Sequence, residues 1–186
     1  YYHPIPYKGK DPRLFGNWGY GHVILENGHV VTQAQVNYEM DLDELLWMHP
    51  TQFELARLDK KTINGFVLNP GQKNEKKFFK MNIAPAEETQ EMIFVEHIPF
   101  KDTVLLLKHA CLVNSIDNNT EIKHYFIFKK EGEYIKKSIK KRMLIKLFKE
   151  DKVAIKKYTR RVGTRLNDYN DLLRVIAYFN AHHEVE

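Results

Sequence analysis

The residues able to do chemistry are easy to find in this chain and hard to assemble into a centre. Nine histidines invite a metal reading. A zinc centre needs three or four converging ligands, commonly announced by spacings such as H-x-x-x-H or H-E-x-x-H. Neither spacing occurs. His22 and His29 share one face of a hairpin but sit on different rungs, near Gln33 and Glu26. His182 and His183 are adjacent at a fraying end, which is poor chelating geometry on a helix. Asp41, Asp43 and Glu44 crowd one turn, yet an EF-hand calcium loop needs a longer ligand pattern with a central Gly. A solvated turn that starts the next strand is the expectation there. The one cysteine, Cys111, lies inside the apolar run Thr103–Val113 and reads as a buried, inert thiol.

Nucleophilic catalysis needs a Ser, Thr or Cys beside a base and an orienting group. Ser115 and Ser138 are the only serines, and no G-x-S-x-G occurs. Phosphate-cradling loops of the G-x-x-x-x-G-K-[ST] or G-x-G-x-x-G type are missing as well. The run Gly16-Asn17-Trp18-Gly19-Tyr20-Gly21 is glycine-rich, but it leads into a strand and not a helix, so its glycines serve tight backbone turns. A glycosidase carboxylate pair is unreadable here, because sequence spacing carries no information on spatial separation. The expectation is a non-enzymatic chain with no cofactor and no metal. A small hydrolase is the minor alternative. Its mark would be a deep pocket with converging, pKa-shifted carboxylates or histidines.

The elements that would position these residues are mostly strands. Residues 1–17 hold three Pro and two Gly and read as an extended arm, whose aromatics pack on the chain's own sheet or on a partner. Asn27-Gly28 is a strong hairpin signal between Tyr20–Glu26 and His29–Tyr38. A two-residue loop there sets Leu25 against Val30 and Val23 against Thr32. It puts Val23, Leu25, Val30, Ala34 and Val36 on one face. Further strands are expected at Glu44–His49, Phe53–Leu58, Thr62–Leu68, Lys76–Met81, Met92–His97, Thr103–Val113, His124–Lys129 and Tyr134–Lys137, with Pro99 lying between two of them. Ser138 is a plausible N-cap for a first helix with Ile139, Met143, Leu144, Leu147 and Phe148 on one face. Asp151 precedes a second helix ended by Gly163. Asn167 or Asp168 caps a third, carrying Leu172, Leu173, Ile176 and Phe179. The fold class is therefore α+β: an antiparallel β-meander, or a curled sheet or open barrel, followed by two to three short C-terminal helices. The division expected is an arm at 1–17, a β-body at 18–137 and a basic helical segment at 138–182 packed on that body. The expected core includes Val23, Leu25, Val30, Val36, Leu45, Trp47, Phe66, Leu68, Phe94, Leu105, Leu107, Phe126, Phe128, Leu144, Phe148, Leu173 and Ile176.

Charge follows the same division. The 186 residues carry a net charge of +5, but residues 135–161 alone hold twelve Lys/Arg against Glu150 and Asp151. Such a patch can engage an acidic partner or lipid headgroups, or nucleic acid through counterion release. Nucleic acid is the weaker match, because Lys outnumbers the fork-shaped Arg and no nucleic-acid module accompanies the patch. No apolar run is long enough to cross a bilayer. The chain begins at Tyr1 and not at a Met, which fits a leader removed on export and equally a piece of a longer chain.

Several segments resemble a group of uncharacterised secreted or periplasmic β-rich envelope proteins of Bacteroidota. Gly21-His22-Val23-Ile24-Leu25-Glu26-Asn27-Gly28 matches their G-x-V-x-L-x-x-G strand–turn–strand. The run from Asn37-Tyr38 through Asp43-Glu44-Leu45 to Trp47 is similar to their Y-N-x-x-x-D-E-L-x-F. Ile63–Leu68 matches I-x-x-F-x-L, and Leu172–Asn180 resembles L-I-x-x-I-x-Y-Y-N. A Tyr/Phe-rich strand, here His124–Lys130, precedes a Lys-rich end in both. The chain departs at Ala34-Gln35-Val36, where the group more often has a Leu-Arg pair. The resemblance covers most of residues 15–180. It implies export, to the periplasm or the outer membrane, and a β-rich fold, and it implies no activity. On this reading the chain is a non-enzymatic structural or interaction subunit of an exported envelope complex. Other envelope proteins are its expected partners, with anionic lipid as a further contact. The expected contact residues are Tyr1, Tyr2, Tyr7, Phe15 and Trp18 of the arm and Lys140, Lys141, Lys146 and Lys149 of the basic helix. The alternative is a nucleic-acid or anionic-surface binding protein using 135–161.

Overall fold

The computed structural model describes residues 14–51, 54–83, 91–100, 103–113, 120–130, 133–139, 152–163 and 169–183. Ten strands come first: β1 (Gly19–Leu25), β2 (Val30–Glu39), β3 (Glu44–Met48), β4 (Leu55–Arg57), β5 (Ile63–Leu68), β6 (Lys76–Ile83), β7 (Glu91–Phe100), β8 (Thr103–Val113), β9 (Thr120–Lys130) and β10 (Glu133–Ser138). Among the described residues two helices follow, α1 (Lys152–Val162) and α2 (Tyr169–His183). The strands form one open antiparallel sheet in the order β10-β9-β8-β7-β6-β5-β1-β2-β3-β4. Its single departure from a simple meander is β1, which lies between β2 and β5. The α+β class and the C-terminal helices agree with expectation.

The hairpin between β1 and β2 differs from its expected register in an instructive way. Leu25 N–H donates to His29 O at 2.9 Å, so the loop has three residues, Glu26 to Gly28, and Val23 pairs with Val31, not Thr32. The extra residue is absorbed by Gln33, whose φ of 55° bulges β2. The expected pairing resumes at Gly21–Ala34. The same slip turns Val30 out of the core, to 53% exposure. Ser138 is also not a helix cap. It ends β10 opposite Tyr125. Pro99 lies within β7, one rung from the β7–β8 turn, opposite Val104. Of the helix expected over 139–149, Ile139 is buried and not helical; the rest, with Leu144 and Phe148, lies outside the described residues.

Alternation decides which cluster a buried side chain joins: Phe94 of β7 enters one, and its neighbours Ile93 and Val95 enter another with Ile127. Phe66, Phe78, Phe94, Tyr38, Val36 and Leu45 make one cluster under β1–β3 and β5–β7. Leu107, Phe126, Ile98 and Phe100 make a second, covered by Ile155 of α1 and by Leu172, Val175, Ile176 and Phe179 of α2. A helical apolar face thus closes the β7–β9 end of the sheet.

Gly21 is needed where β1 is squeezed between its two neighbours. A Cβ there would stand 2.5 Å from Val36 Cγ2 and 2.6 Å from the backbone Val67 O. Gly21→Ala is expected to lower unfolding stability by about 1–3 kcal/mol, read from urea unfolding followed by tryptophan fluorescence. An unchanged midpoint would show that β1 and β5 can part without cost.

Candidate functional site

Two buried clusters of ionisable groups and one cleft make up the candidate site. The first cluster forms because the β2–β3 turn carries Asp43 inward. Asp43 adopts φ 58°, a left-handed conformation that Asp tolerates. Its carboxylate accepts from Tyr38 Oη at 2.5 Å, from Lys60 Nζ at 2.8 Å and from Lys108 Nζ at close range. It also accepts from the Phe94 backbone N–H at 3.1 Å. The β7–β8 pairing runs only from Phe100–Thr103 to Glu96–Leu107, so Asp43 serves an amide beyond the paired stretch. Lys108 donates to Tyr38 Oη as well, at 2.7 Å, and Lys60 to Met92 O at 3.2 Å. Burial and then the charge of Asp43 push the Tyr38 phenol well above its usual range. Burial draws the Lys108 ammonium downward, against the pull of Asp43. The expected solvated turn is therefore corrected: Asp43 is 8% exposed. Tertiary hydrogen bonds supply what water would have given.

The second cluster spans β6, β7, β8, β9 and α2. Glu96, buried on β7, accepts from His109 Nε2 at 2.9 Å, from Tyr169 Oη at 2.7 Å and from Lys76 Nζ at 3.2 Å. His109 Nδ1 lies 2.7 Å from Nδ1 of His124, its cross-strand partner. Burial works to raise Glu96, but the hydrogen bond and charge of its partners outweigh it and hold the carboxyl below its usual range. Burial draws His109 below the ordinary histidine value, with Glu96 opposing. At neutral pH the arrangement is thus a carboxylate with a neutral imidazole. His109 Nε2–H donates to Glu96, which leaves Nδ1 to accept from His124 Nδ1–H. The Tyr169 phenol is raised by burial and by Glu96, and stays protonated.

Above this cluster opens a cleft of about 910 Å³. Its walls are the arm from Leu14 to Trp18, the β5–β6 turn from Asn69 to Asn74, Ile122 and His124 of β9, and the start of α2. Of the arm residues expected to make contacts, Phe15 is turned inward. Its ring meets Phe78 at 5.4 Å, His109 at 4.6 Å and Tyr169 at 6.0 Å. Trp18 lines the cleft. Tyr1, Tyr2, Tyr7, Lys140, Lys141, Lys146 and Lys149 lie outside the described residues. The described part of the basic segment is exposed at Lys136, Lys137, Lys156, Lys157, Arg160 and Arg161. Lys136 stands over the Tyr125 ring at 4.5 Å. His22 and His29 gather no other ligands, and no group of three or more His, Cys, Asp or Glu among the described residues could hold a metal ion. Cys111 is buried in the aromatic cluster. Among the described residues no helix is long and apolar enough to cross a membrane, which says nothing of strands.

Sequence reasoning missed Glu96, His109, His124, Lys76 and Tyr169 as a set. A signal existed. In β8 the inward phase runs Leu105, Leu107, His109, Cys111. In β7 it runs Phe94, Glu96, Ile98, Phe100. A polar side chain in the apolar phase of a strand must find a partner inside.

Both shifted groups act in one sense on acidification. His109, held below the ordinary 6.5, binds a proton more readily unfolded, so stability is lost as pH falls from 6.5 towards its folded value. Glu96, held below the ordinary 4.5, contributes fully above 4.5 and loses that contribution as pH falls through its lower folded value. The urea midpoint is expected to be flat near neutrality and to fall in these two windows. His109→Gln keeps an N–H donor for Glu96 but cannot become imidazolium, so it should shrink the upper step while lowering stability at neutral pH. His97, also held low by burial, accounts for a remainder in both proteins. Identical upper steps in the two would remove His109 as the titrating group.

Comparison with family models, with curated proteins and with solved structures gives no match to this chain.

Proposed function

We propose that the chain is a non-enzymatic subunit of an exported, envelope-associated protein assembly. The observation that carries this reading is that both buried ionisable clusters are occupied internally. Asp43 takes up Tyr38, Lys60 and Lys108, and Glu96 takes up His109, Lys76 and Tyr169. Each cluster joins elements far apart in sequence, which is the work of a scaffold. The segments resembling secreted envelope proteins support the reading because they supply that scaffold: Gly21 allows the close approach of β1 and β5, Tyr38 and Asp43 build the first cluster, and Leu172 and Ile176 cover the second core. The exposed cations at Lys136, Lys137, Arg160 and Arg161 offer a surface for an acidic partner or for lipid headgroups.

The test is to tag the full-length protein in its native host, solubilise the envelope gently and identify the co-purifying chains. A stoichiometric set of envelope proteins is expected, weakened by charge reversal at Lys140, Lys141, Lys146 and Lys149. Recovery of the protein alone, or with nucleic acid from a soluble fraction, would overturn the proposal.

A second reading, a small hydrolase, is favoured by one observation. The Glu96–His109–His124 chain runs from a buried carboxylate to a residue on the cleft wall, an arrangement in which an oriented imidazole can act as a base. It predicts slow hydrolysis of an activated ester such as p-nitrophenyl acetate, reduced about 100-fold by His124→Gln. Equal rates for the two proteins would remove it.

A further inference from the structure

We propose that the cleft between the arm, the β5–β6 turn, β9 and α2 binds a short, carboxylate-bearing oligosaccharide. This goes beyond the assembly reading and stands without it.

The size is suitable: about 910 Å³, within the range of roughly 300–1,000 Å³ typical of small-molecule sites. The composition of the wall narrows the ligand. Four carboxamides line it, from three separate stretches of chain: Asn17 in the arm, Asn69 and Asn74 in the β5–β6 turn, and Asn170 in the first turn of α2. A carboxamide offers donors and an acceptor together. Neighbouring hydroxyls of a sugar ring do the same, so amides satisfy both roles of a diol where a cation or a carboxylate satisfies only one. Trp18 adds aromatic surface with a polar tip. A flat ring of that kind suits the C–H face of a pyranose and leaves its hydroxyls at the edge for the amides.

The electrostatics favour one negative charge. None of the described residues lining the cleft is acidic. Glu96, buried beside the cleft, is paired with Lys76 at 3.2 Å and hydrogen-bonded by Tyr169 at 2.7 Å, so its charge is taken up beneath the floor. Lys73 stays exposed in the turn beside Asn74 and lines the same cleft, where it can meet an anion. The second cluster thereby acquires a role. By fixing Tyr169 against Glu96, it sets the first turn of α2, and with it Asn170, as one wall.

The full-length protein would be titrated by calorimetry with trigalacturonate, with the neutral trisaccharide maltotriose and with triglutamate. Saturable binding is expected for trigalacturonate, about 10-fold weaker for maltotriose, since one charge-assisted hydrogen bond is lost, and weakest for triglutamate. Trp18→Ala should weaken both sugars about 10-fold. Lys73→Glu should weaken the acidic sugar alone. If Trp18→Ala does not fold, Asn74→Asp serves instead: it removes an amide donor and adds a carboxylate to an exposed wall position, and should weaken the acidic sugar more than the neutral one. Absence of binding to trigalacturonate at millimolar concentration, triglutamate binding as tightly, or affinities unmoved by the folded variants would each overturn the proposal.

Discussion

One buried carboxylate constrains most of the β-body. Asp43 leaves water at the β2–β3 turn and is compensated by groups from four other places: Tyr38 in β2, Lys60 in the short helical turn before β5, Phe94 N–H in β7 and Lys108 in β8. A buried charge is tolerable only when nearly every lone pair is met, and removing one partner of such a pair typically costs about 3–5 kcal/mol. The sheet must therefore curl until the turn reaches β7 and β8. The Tyr38 ring carries the same constraint into the apolar core, where it lies 5.1 Å from Phe78 and 5.7 Å from Phe66. Aromatic packing and charge compensation thus select the same arrangement of strands.

Glu96, two residues along β7 from Phe94, repeats the device and couples it to the helices. The apolar face of α2 would cover Leu107 and Phe126 in more than one rotation or register, because hydrophobic contact is non-directional. The hydrogen bond from Tyr169 to Glu96 is directional and marks one register. Asn180 donating to Pro99 O at 3.0 Å secures the far end of the same helix. A helix held at both ends makes a stable wall, and the cleft inherits its shape from that placement. His109 and His124 complete the cluster as a stacked and hydrogen-bonded bridge between two strands and α2.

Much of the architecture was legible because strand periodicity and turn chemistry are local. Alternation located all ten strands, and Gly163, at φ 67°, ended α1 where a left-handed glycine would be expected. The errors were local too. Asn27-Gly28 marks a hairpin but not its loop length, and the bulge at Gln33 that restores the register carries no sequence mark. Pro99 looked like a boundary because Pro cannot donate to a ladder, yet one rung from a turn this costs little.

By itself the sequence determined the α+β class, the charge division at about residue 135 and the inward phase of the strands outside the β1–β2 hairpin, since all three depend on residues near one another in the chain. Only the tertiary structure decided which polar residues meet. His109 and His124 are partners because β8 and β9 pair in one register, and Asp43 reaches Lys108 because the sheet curls. The cleft draws its walls from residues as distant as Trp18 and Leu173. Spatial convergence of that kind follows from the packing of the whole sheet, and no local spacing encodes it.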